Sequence, residues 1–446
     1  MQIKKNIDKN LITFLFVHLI LWTLVPSLSN NNLPLDTIEH LAWATDLQFG
    51  YEKHPPLVAW ILGLFYELFG SQDWSYYFLS QLFIIIAFYT IFRFSSVFFT
   101  KKIYCLISVM LLEGIYFYNY TTPEFNVNIC QIPFWTLSTF YFWKGFTNNK
   151  IKNWILFGFF SALGILSKYL FIYLLVSLGL FFIIMTMKRK INYNFLFTLF
   201  PLVLILSPHL YWLIENNFTT IAYALNRTGL GEQNILNHIS QPLIFLAKQI
   251  GILIPFFIML LMLISKVKIK YNTKDKKLLF LIAISITPIL LMFLTSVFTG
   301  AKIRTMWMTP FYLFFSIFIV YIFKDQINLN KLKNFVSTFL ILFFLSPLSY
   351  LIVSVTQKDK RTDYPGKKIA IKVQEIWNDK HNSKISYVVG DEWVGGNLSY
   401  HLKSRPKWMG IEGKVKSKDE LSIVNVYKNN ISEAISKIGY FKVYGE

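Results

Sequence analysis

The sequence predicts a polytopic α-helical membrane protein with a small hydrophilic α/β domain at its C-terminus. Hydrophobic residues make up 54% of the 446 residues and charged residues only 15%, against about 25% charged residues in a typical soluble domain. Long apolar runs recur through residues 1–355, and the chain becomes polar from Gln357. So little charge leaves too little polar surface for a water-soluble particle of this size.

A membrane-spanning helix needs about 20 mostly apolar residues, and about eleven segments of the chain meet that criterion. They lie near residues 11–29, 74–98, 104–121, 127–146, 153–167, 169–187, 193–214, 244–265, 278–299, 305–323 and 334–355. No small-residue cleavage site follows the first segment, so we expect a retained span rather than a signal peptide. The fifth and sixth segments are nearly continuous, which leaves a tight hairpin or a re-entrant element open.

Basic residues are concentrated in alternate loops and predict the orientation. One set of loops includes Lys101, Lys102, the basic residues at 188–190 and several between 266 and 277. By the positive-inside rule these loops face the cytoplasm. The N-terminus is then cytoplasmic and residues 356–446 are periplasmic, in a multi-pass protein of a bacterial inner membrane. The net charge of +20 is therefore attributed to orientation and not to nucleic-acid binding.

Two domains are expected, a transmembrane domain at residues 1–355 and a periplasmic α/β domain at 356–446. The second contains β-like runs at 385–389 and 421–426 and helix-like stretches at 367–379 and 432–438. We find no internal repeat, which argues weakly against a transporter built from duplicated halves.

The first outward loop contains Asp36, Glu39, His40 and Trp43, spaced at i, i+3, i+4 and i+7. This spacing puts them on one face of a short helix that begins near Pro34. The face could carry chemistry, or it could be a solvated amphipathic surface with Asp36 as the helix cap. From spacing alone the second alternative is the commoner, because carboxylates are frequent at helix starts.

Farther along this loop, Glu52, Lys53 and His54 precede two prolines and an apolar segment at 57–69. That segment is too short to span and is expected to lie in the membrane interface. The three polar residues could then hold a phosphate or a cation at the membrane surface. The alternative is an ordinary juxtamembrane charged turn.

The other outward loops carry isolated polar residues. Glu124, Asn126 and Asn128 lie where a span re-enters the bilayer, which is costly unless they face a cavity or a partner. Three cations at outer helix ends could converge on one anion, although each taken singly is more often a snorkelling side chain. They are Lys168, Lys302 and Arg304. The loop at 215–245 holds Asn226, Arg227, Glu232 and His238, and its length is typical of functional loops.

Six short motifs, in this order and all in outward segments, carry a resemblance to a known family. They are LDTIE at 35–39, EKHPPL at 52–57, TPEFN at 122–126, GILSKY at 164–169, GAKIR at 300–304 and VGDEW at 389–393. Together they resemble the GT-C membrane glycosyltransferases related to dolichyl-phosphate-mannose protein mannosyltransferases. The nearest subset is bacterial and comprises the lipid A aminoarabinose transferase and the lipopolysaccharide galacturonosyltransferases.

The resemblance implies transfer of a sugar, a hexose or a pentose, from a polyprenyl-phosphate donor to a lipid or glycan acceptor such as lipid A or lipopolysaccharide. Asp36 matches the family's acidic residue that acts as general base or orients the acceptor, and Glu124 falls near a second acidic position. Lys53 matches the lysine that binds the donor phosphate. Cations that stabilise a leaving phosphate contribute strongly to such catalysis. The other candidates for that role are Lys168, Arg227, Lys302 and Arg304, and the candidates for substrate binding are Glu39, Glu52, His54 and Asn126.

The chain departs from the family pattern at several positions. Many relatives have Asp where this chain has Glu124, and His54 interrupts the Lys-Pro-Pro pattern. Glu52 matches a metal-binding glutamate of the aminoarabinose transferase, but its histidine partner has only a loose match in His238, and Asn226 is another occupant of that place. The sequence therefore assigns no cofactor, and a divalent metal stays an open alternative.

Two other function classes are compatible with a multi-pass chain of this kind. A transporter or flippase for lipid-linked sugars usually needs ionisable groups at mid-membrane depth, and Glu113 is the main one in these spans. A non-catalytic assembly protein would use the C-terminal domain to bind partners. Neither class explains why acidic and basic residues gather in the first two outward loops, so the glycosyltransferase is favoured. Its expected partners besides donor and acceptor are membrane lipids, and no nucleic-acid partner is expected.

Overall fold

The computed structural model describes residues 6–187, 193–229, 234–265, 267, 272, 274–411 and 441–445. The fold is predominantly helical, with 74% helix, which confirms the predicted class. The helices before the C-terminal domain are α1 Ile7–Ser29, α2 Leu35–Trp43, α3 Leu57–Phe69, α4 Asp73–Ser95, α5 Lys102–Met110, α6 Val127–Asn148, α7 Ile151–Ser167, α8 Ile172–Thr186, α9 Leu199–Glu215, α10 Thr219–Arg227, α11 Asn237–Leu261, α12 Lys276–Ser285, α13 Thr287–Thr299, α14 Phe315–Phe323 and α15 Leu332–Thr356.

Within the described residues, six helical segments are long and apolar enough to cross a membrane, and eight if each of two bent pairs forms one span. The pairs are α12 with α13, bent by 41°, and Thr305–Tyr312 with α14, bent by 52°. These eight correspond to eight of the predicted spans. The chain is thus a multi-pass membrane protein.

The other three predicted spans, near 104–121, 127–146 and 153–167, are helical but do not meet that criterion of length and hydropathy. α5 gives way to 3-10 turns at Leu111–Gly114. α6 buries polar side chains such as Gln131 and Thr136 among its neighbours. A helix surrounded by other helices does not need an apolar surface all round, which explains the low hydropathy of α6.

A buried polar pair joins α1 to the break after α5. His18 Nδ1 lies 2.7 Å from Glu113 Oε1, and neither side chain is exposed. Asn119 donates a hydrogen bond of 2.8 Å to the Glu113 backbone carbonyl, and Ser346 of α15 donates one of 3.1 Å to Asn119. Glu113, which the sequence marked as an ionisable group within a span, therefore ties three parts of the bundle together.

We expect His18→Ala to destabilise the protein by on the order of 3 kcal/mol, because it leaves a buried carboxyl group without its partner. The measurement is the apparent melting temperature of the purified protein in detergent. Lys102→Ala is the matched control, since it breaks an ion pair with Asp8 in which both side chains are more than half exposed. Equal melting temperatures for both variants would contradict a stabilising role of the buried pair.

The C-terminal domain contains α16 Gly366–Asn378, β1 Ile385–Gly390, α17 Val394–His401, β2 Lys407–Trp408 and β3 Phe441–Gly445. The sheet order is β2-β1-β3, with β2 parallel and β3 antiparallel to β1. α16 and β1 agree with the stretches predicted at 367–379 and 385–389. The runs predicted at 421–426 and 432–438 lie outside the described residues.

This domain packs on α2 and α3. Gly396 of α17 lies so close to α2 that an added Cβ would come within 3.2 Å of Ala42 Cβ. The Arg405 guanidinium donates a hydrogen bond of 2.5 Å to the Leu41 carbonyl and lies 3.9 Å from the centre of the Tyr66 ring. The C-terminal domain is therefore placed directly against the helix that carries Asp36 and Glu39.

Candidate functional site

A cavity of about 380 Å³ lies at the end of the bundle that carries α2 and the first turn of α6. Its wall combines residues from the first loop, the start of α6, the α7–α8 junction, α10 and the segment 304–307. Seven of the twelve candidate site residues line it: Asp36, Glu39, Lys53, His54, Lys168, Arg227 and Arg304. Residues far apart in the chain thus meet in one site with both acidic and basic groups.

α2 begins after Pro34, as the spacing predicts, but it is not a solvated surface helix. Glu39, His40 and Trp43 are buried, with exposed fractions of 7%, 1% and 4%. Asp36 makes no capping hydrogen bond, since the N-cap residue is Pro34. The alternative of an exposed helix with a carboxylate cap was wrong, because the C-terminal domain covers this helix.

Asp36 is held by the second loop. Asn126 donates a hydrogen bond of 3.3 Å to Asp36 Oδ2, and Glu124 Oε1 accepts one of 3.0 Å from the Asp36 backbone amide. Burial, and then the charge of Asp36, raises the pKa of Glu124. Of the two carboxyl groups, that of Asp36 lines the cavity and that of Glu124 does not.

Lys53 lies between two carboxylates. Its ammonium is 2.5 Å from Glu39 Oε1 and also forms an ion pair with Glu392, in the C-terminal domain. Burial disfavours the charge, but Glu39 and Glu392 outweigh it and raise the pKa of Lys53. Burial and the charge of Glu39 raise the pKa of Glu392 to about 7. Lys53 therefore stays cationic at neutral pH.

The His54 ring lines the cavity and packs against other aromatic rings. The His54 ring is stacked on His40 with ring centres 5.7 Å apart, and His40 contacts Trp43 edge-on at 4.7 Å. Burial, followed by repulsion from His40 and Lys168, lowers the pKa of His54 well below its usual value. His54 thus presents a neutral ring to the cavity and not a further cation.

Lys168 supplies a buried amine to the cavity wall. It donates a hydrogen bond of 2.5 Å to Asn128 Oδ1 and lies 5.5 Å from the centre of the Trp307 ring. Burial lowers the pKa of Lys168 to about 7, although the charge of Asp36 opposes the shift and that of Arg304 adds to it. Its charge therefore depends on pH in the neutral range.

Five predicted site residues do not line the cavity. Glu124 and Asn126 stand behind Asp36, and Asn126 also caps α6 by accepting from the Asn128 and Ile129 amides. The side chains of Glu52 and Lys302 are exposed. His238 is hydrogen-bonded to the Val297 carbonyl at 2.8 Å. Glu124 and Asn126 thus form hydrogen bonds with Asp36 but do not line the cavity.

The described donor groups do not form a metal site. No three His, Cys, Asp or Glu side chains in the described part of the chain are close enough to hold an ion. The two weak candidates, Glu52 and His238, do not share the cavity.

Other cavity residues were not assigned a role from the sequence. Asn128, Tyr223 and Trp307 line the wall, and Glu392 reaches Lys53 from the C-terminal domain. Asn128 had a local signal, as a polar residue at the start of a span. Glu392 lies within the VGDEW motif, but nothing in that motif indicates a contact with Lys53.

Residues 53–212 match a family model described as dolichyl-phosphate-mannose-protein mannosyltransferase. The matched segment begins at Lys53 and includes Lys168. Ten chains of solved structures match the fold, whereas no curated protein matches. The crystal structure of ArnT from Cupriavidus metallidurans bound to undecaprenyl phosphate has a TM-score of 0.64 and 13% identity, and the match covers 90% of this chain and 85% of that one.

The chain has the GT-C fold. The apo crystal structure of the same ArnT agrees, with a TM-score of 0.57, 10% identity, and coverage of 90% of this chain and 86% of that chain. The predicted GT-C architecture is confirmed. The family match covers residues 53–212, which is less than half of the chain.

Proposed function

We propose that this GT-C protein transfers a sugar from a polyprenyl-phosphate donor to a lipid or glycan acceptor. The favoured acceptor is lipid A or lipopolysaccharide. The reaction would take place at the outer face of a bacterial inner membrane, with the N-terminus in the cytoplasm. ArnT, which shares the fold, was crystallised with undecaprenyl phosphate, and this supports a donor of that class.

The single observation that carries the proposal is the meeting of Asp36 with several cations in one cavity. When the sugar leaves its carrier, negative charge develops on the lipid phosphate, and preorganised cations lower the free energy of that transition state. Lys53, Lys168 and Arg304 are three such groups in the wall. Arg227 is more exposed and would meet the phosphate from the open side.

Asp36 would accept the proton of the acceptor hydroxyl as that oxygen attacks the anomeric carbon, the bond to the phosphate oxygen breaks, and the phosphate carries the charge away. Glu124 and Asn126 hold Asp36 in place from behind. No step is assigned to a metal, because Glu52 and His238 do not reach the cavity.

The test is a transfer assay with purified full-length protein in detergent, polyprenyl-phosphate sugars and lipopolysaccharide acceptors, with and without a chelator. Mass spectrometry should find an acceptor heavier by one sugar residue and released polyprenyl phosphate. A flippase would leave the donor bond intact. Comparing envelope lipids of cells with and without the protein would name the sugar and the acceptor, and an unchanged lipid profile would contradict the proposal.

Donor binding is expected to weaken as pH rises above about 7, because Lys168 loses its proton through that range. Below that pH its ammonium is present and attracts the phosphate, and the affinity should fall by up to about tenfold for each pH unit above it. The measurement is the dissociation constant of undecaprenyl phosphate between pH 6 and pH 9. Lys168→Gln should have a flatter profile, whereas an unchanged slope would assign the dependence to another group.

A further inference from the structure

The ion pair between Lys53 and Glu392 links the candidate phosphate-binding lysine to the C-terminal domain. Glu39 reaches Lys53 from α2, in the same part of the chain, while Glu392 reaches it across 339 positions. The Asp391 carboxylate next to it accepts hydrogen bonds from the Trp393 and Val394 amides, at 2.8 and 2.7 Å. The backbone that presents Glu392 is therefore fixed at the start of α17.

Two carboxylates on one ammonium conflict with phosphate binding. An ammonium has three donor hydrogens, and the two carboxylates that accept from it leave only one for a ligand. A phosphate that bound Lys53 beside both would also meet two like charges at short range. One of the carboxylates must therefore give way or lose its charge when an anionic ligand binds.

Glu392 is the one that can do so. The Glu39 side chain is 9% exposed, whereas that of Glu392 is 25% exposed. Glu392 can therefore turn toward solvent by a rotamer change, while Glu39 is enclosed by α2 and its neighbours. The pKa of Glu392 is about 7. Its carboxyl group is therefore partly protonated at neutral pH, which favours the exchange.

We propose that Glu392 is an exchangeable counter-ion that occupies the place of the donor phosphate on Lys53 and yields it when the donor binds. The inference rests on the proposed function only in taking Lys53 as a phosphate-binding group. It makes a residue of the C-terminal domain a determinant of donor affinity.

The domain stays docked without this ion pair, which makes the inference testable by substitution. Arg405 binds the Leu41 carbonyl, and Asn32 donates a hydrogen bond of 2.7 Å to Asn397. Lys407 and Asp46 form a second ion pair between the two parts of the chain, at 2.9 Å. Glu392→Gln therefore removes the negative charge that pairs with Lys53, while these other contacts hold the domain in place.

The experiment measures equilibrium binding of labelled undecaprenyl phosphate to the full-length protein and to Glu392→Gln. We expect the variant to bind about three- to tenfold more tightly, as removal of one competing charge would give. The matched control is Asp46→Asn, which breaks the ion pair with Lys407 without touching Lys53 and should leave the affinity unchanged. Unchanged or weaker binding in Glu392→Gln, or equal tightening in both variants, would overturn the inference.

Lys53→Ala in the same assay separates a failure of the phosphate-binding role of Lys53 from a failure of the counter-ion exchange. If it binds the ligand as well as the unaltered protein does, the phosphate-binding role of Lys53 fails. If it binds weakly but Glu392→Gln shows no gain, the counter-ion exchange alone fails. Melting temperatures of all variants check that each one is folded.

Discussion

Asp36→Asn is expected to abolish sugar transfer and to leave donor binding nearly unchanged at pH 6, below the pKa of Lys168. The amide keeps the shape of the side chain and its place beside Asn126, but it cannot take a proton from the acceptor. Loss of a general base typically lowers a rate by about 10²- to 10⁴-fold. The measurement is the initial rate of transfer at saturating donor, together with the dissociation constant of undecaprenyl phosphate.

Asp46→Asn is the matched control for this variant. Asp46 belongs to the same loop, but it pairs with Lys407 outside the cavity, and its substitution should leave the rate unchanged. Full activity of Asp36→Asn would remove Asp36 from the role of base. Loss of donor binding together with activity would instead indicate that the cavity has collapsed.

Lys53→Ala should weaken donor binding by about 10- to 100-fold, since a hydrogen bond to a charged group contributes about 1.5–3 kcal/mol. The loss should appear in the dissociation constant of the donor, and saturating donor should restore part of the rate. The variant also leaves Glu39 and Glu392 without their cation, so a lower melting temperature is expected as well.

Lys302→Ala is the control for Lys53→Ala. It removes the same charge from a nearby segment, but its side chain is exposed and does not line the cavity. Its donor affinity should equal that of the unaltered protein. An equal loss in both variants would mean that net charge, and not a specific contact, attracts the donor.

Much of the helical framework could be predicted because its signals are local. Hydropathy located the eight apolar spans, and the spacing of Asp36, Glu39, His40 and Trp43 predicted α2. The run at 57–69, predicted as an apolar segment too short to span, forms α3. The prediction of apolar spans was less successful for helices inside the bundle. Hydropathy cannot separate a lipid-facing helix from a bundle-facing one such as α6, whose polar side chains are buried by its neighbours.

The candidate site was only partly predictable. Arg304 lines the cavity but Lys302, two positions earlier, does not. Glu124 looked like a second catalytic carboxylate, yet it binds the Asp36 backbone from behind. A sequence records which residue types lie in a loop, but the direction of each side chain depends on packing between loops.

The sequence by itself determined the helical class, the apolar spans, the short helix with Asp36 and the set of isolated loop cations, because each has a local pattern of charge or hydropathy. Only the tertiary structure decided which of these residues share a cavity and that Lys53 is paired with Glu392. That pair joins positions 339 residues apart. A contact at such a separation is created by the docking of one domain on another and leaves no periodicity or motif in either segment.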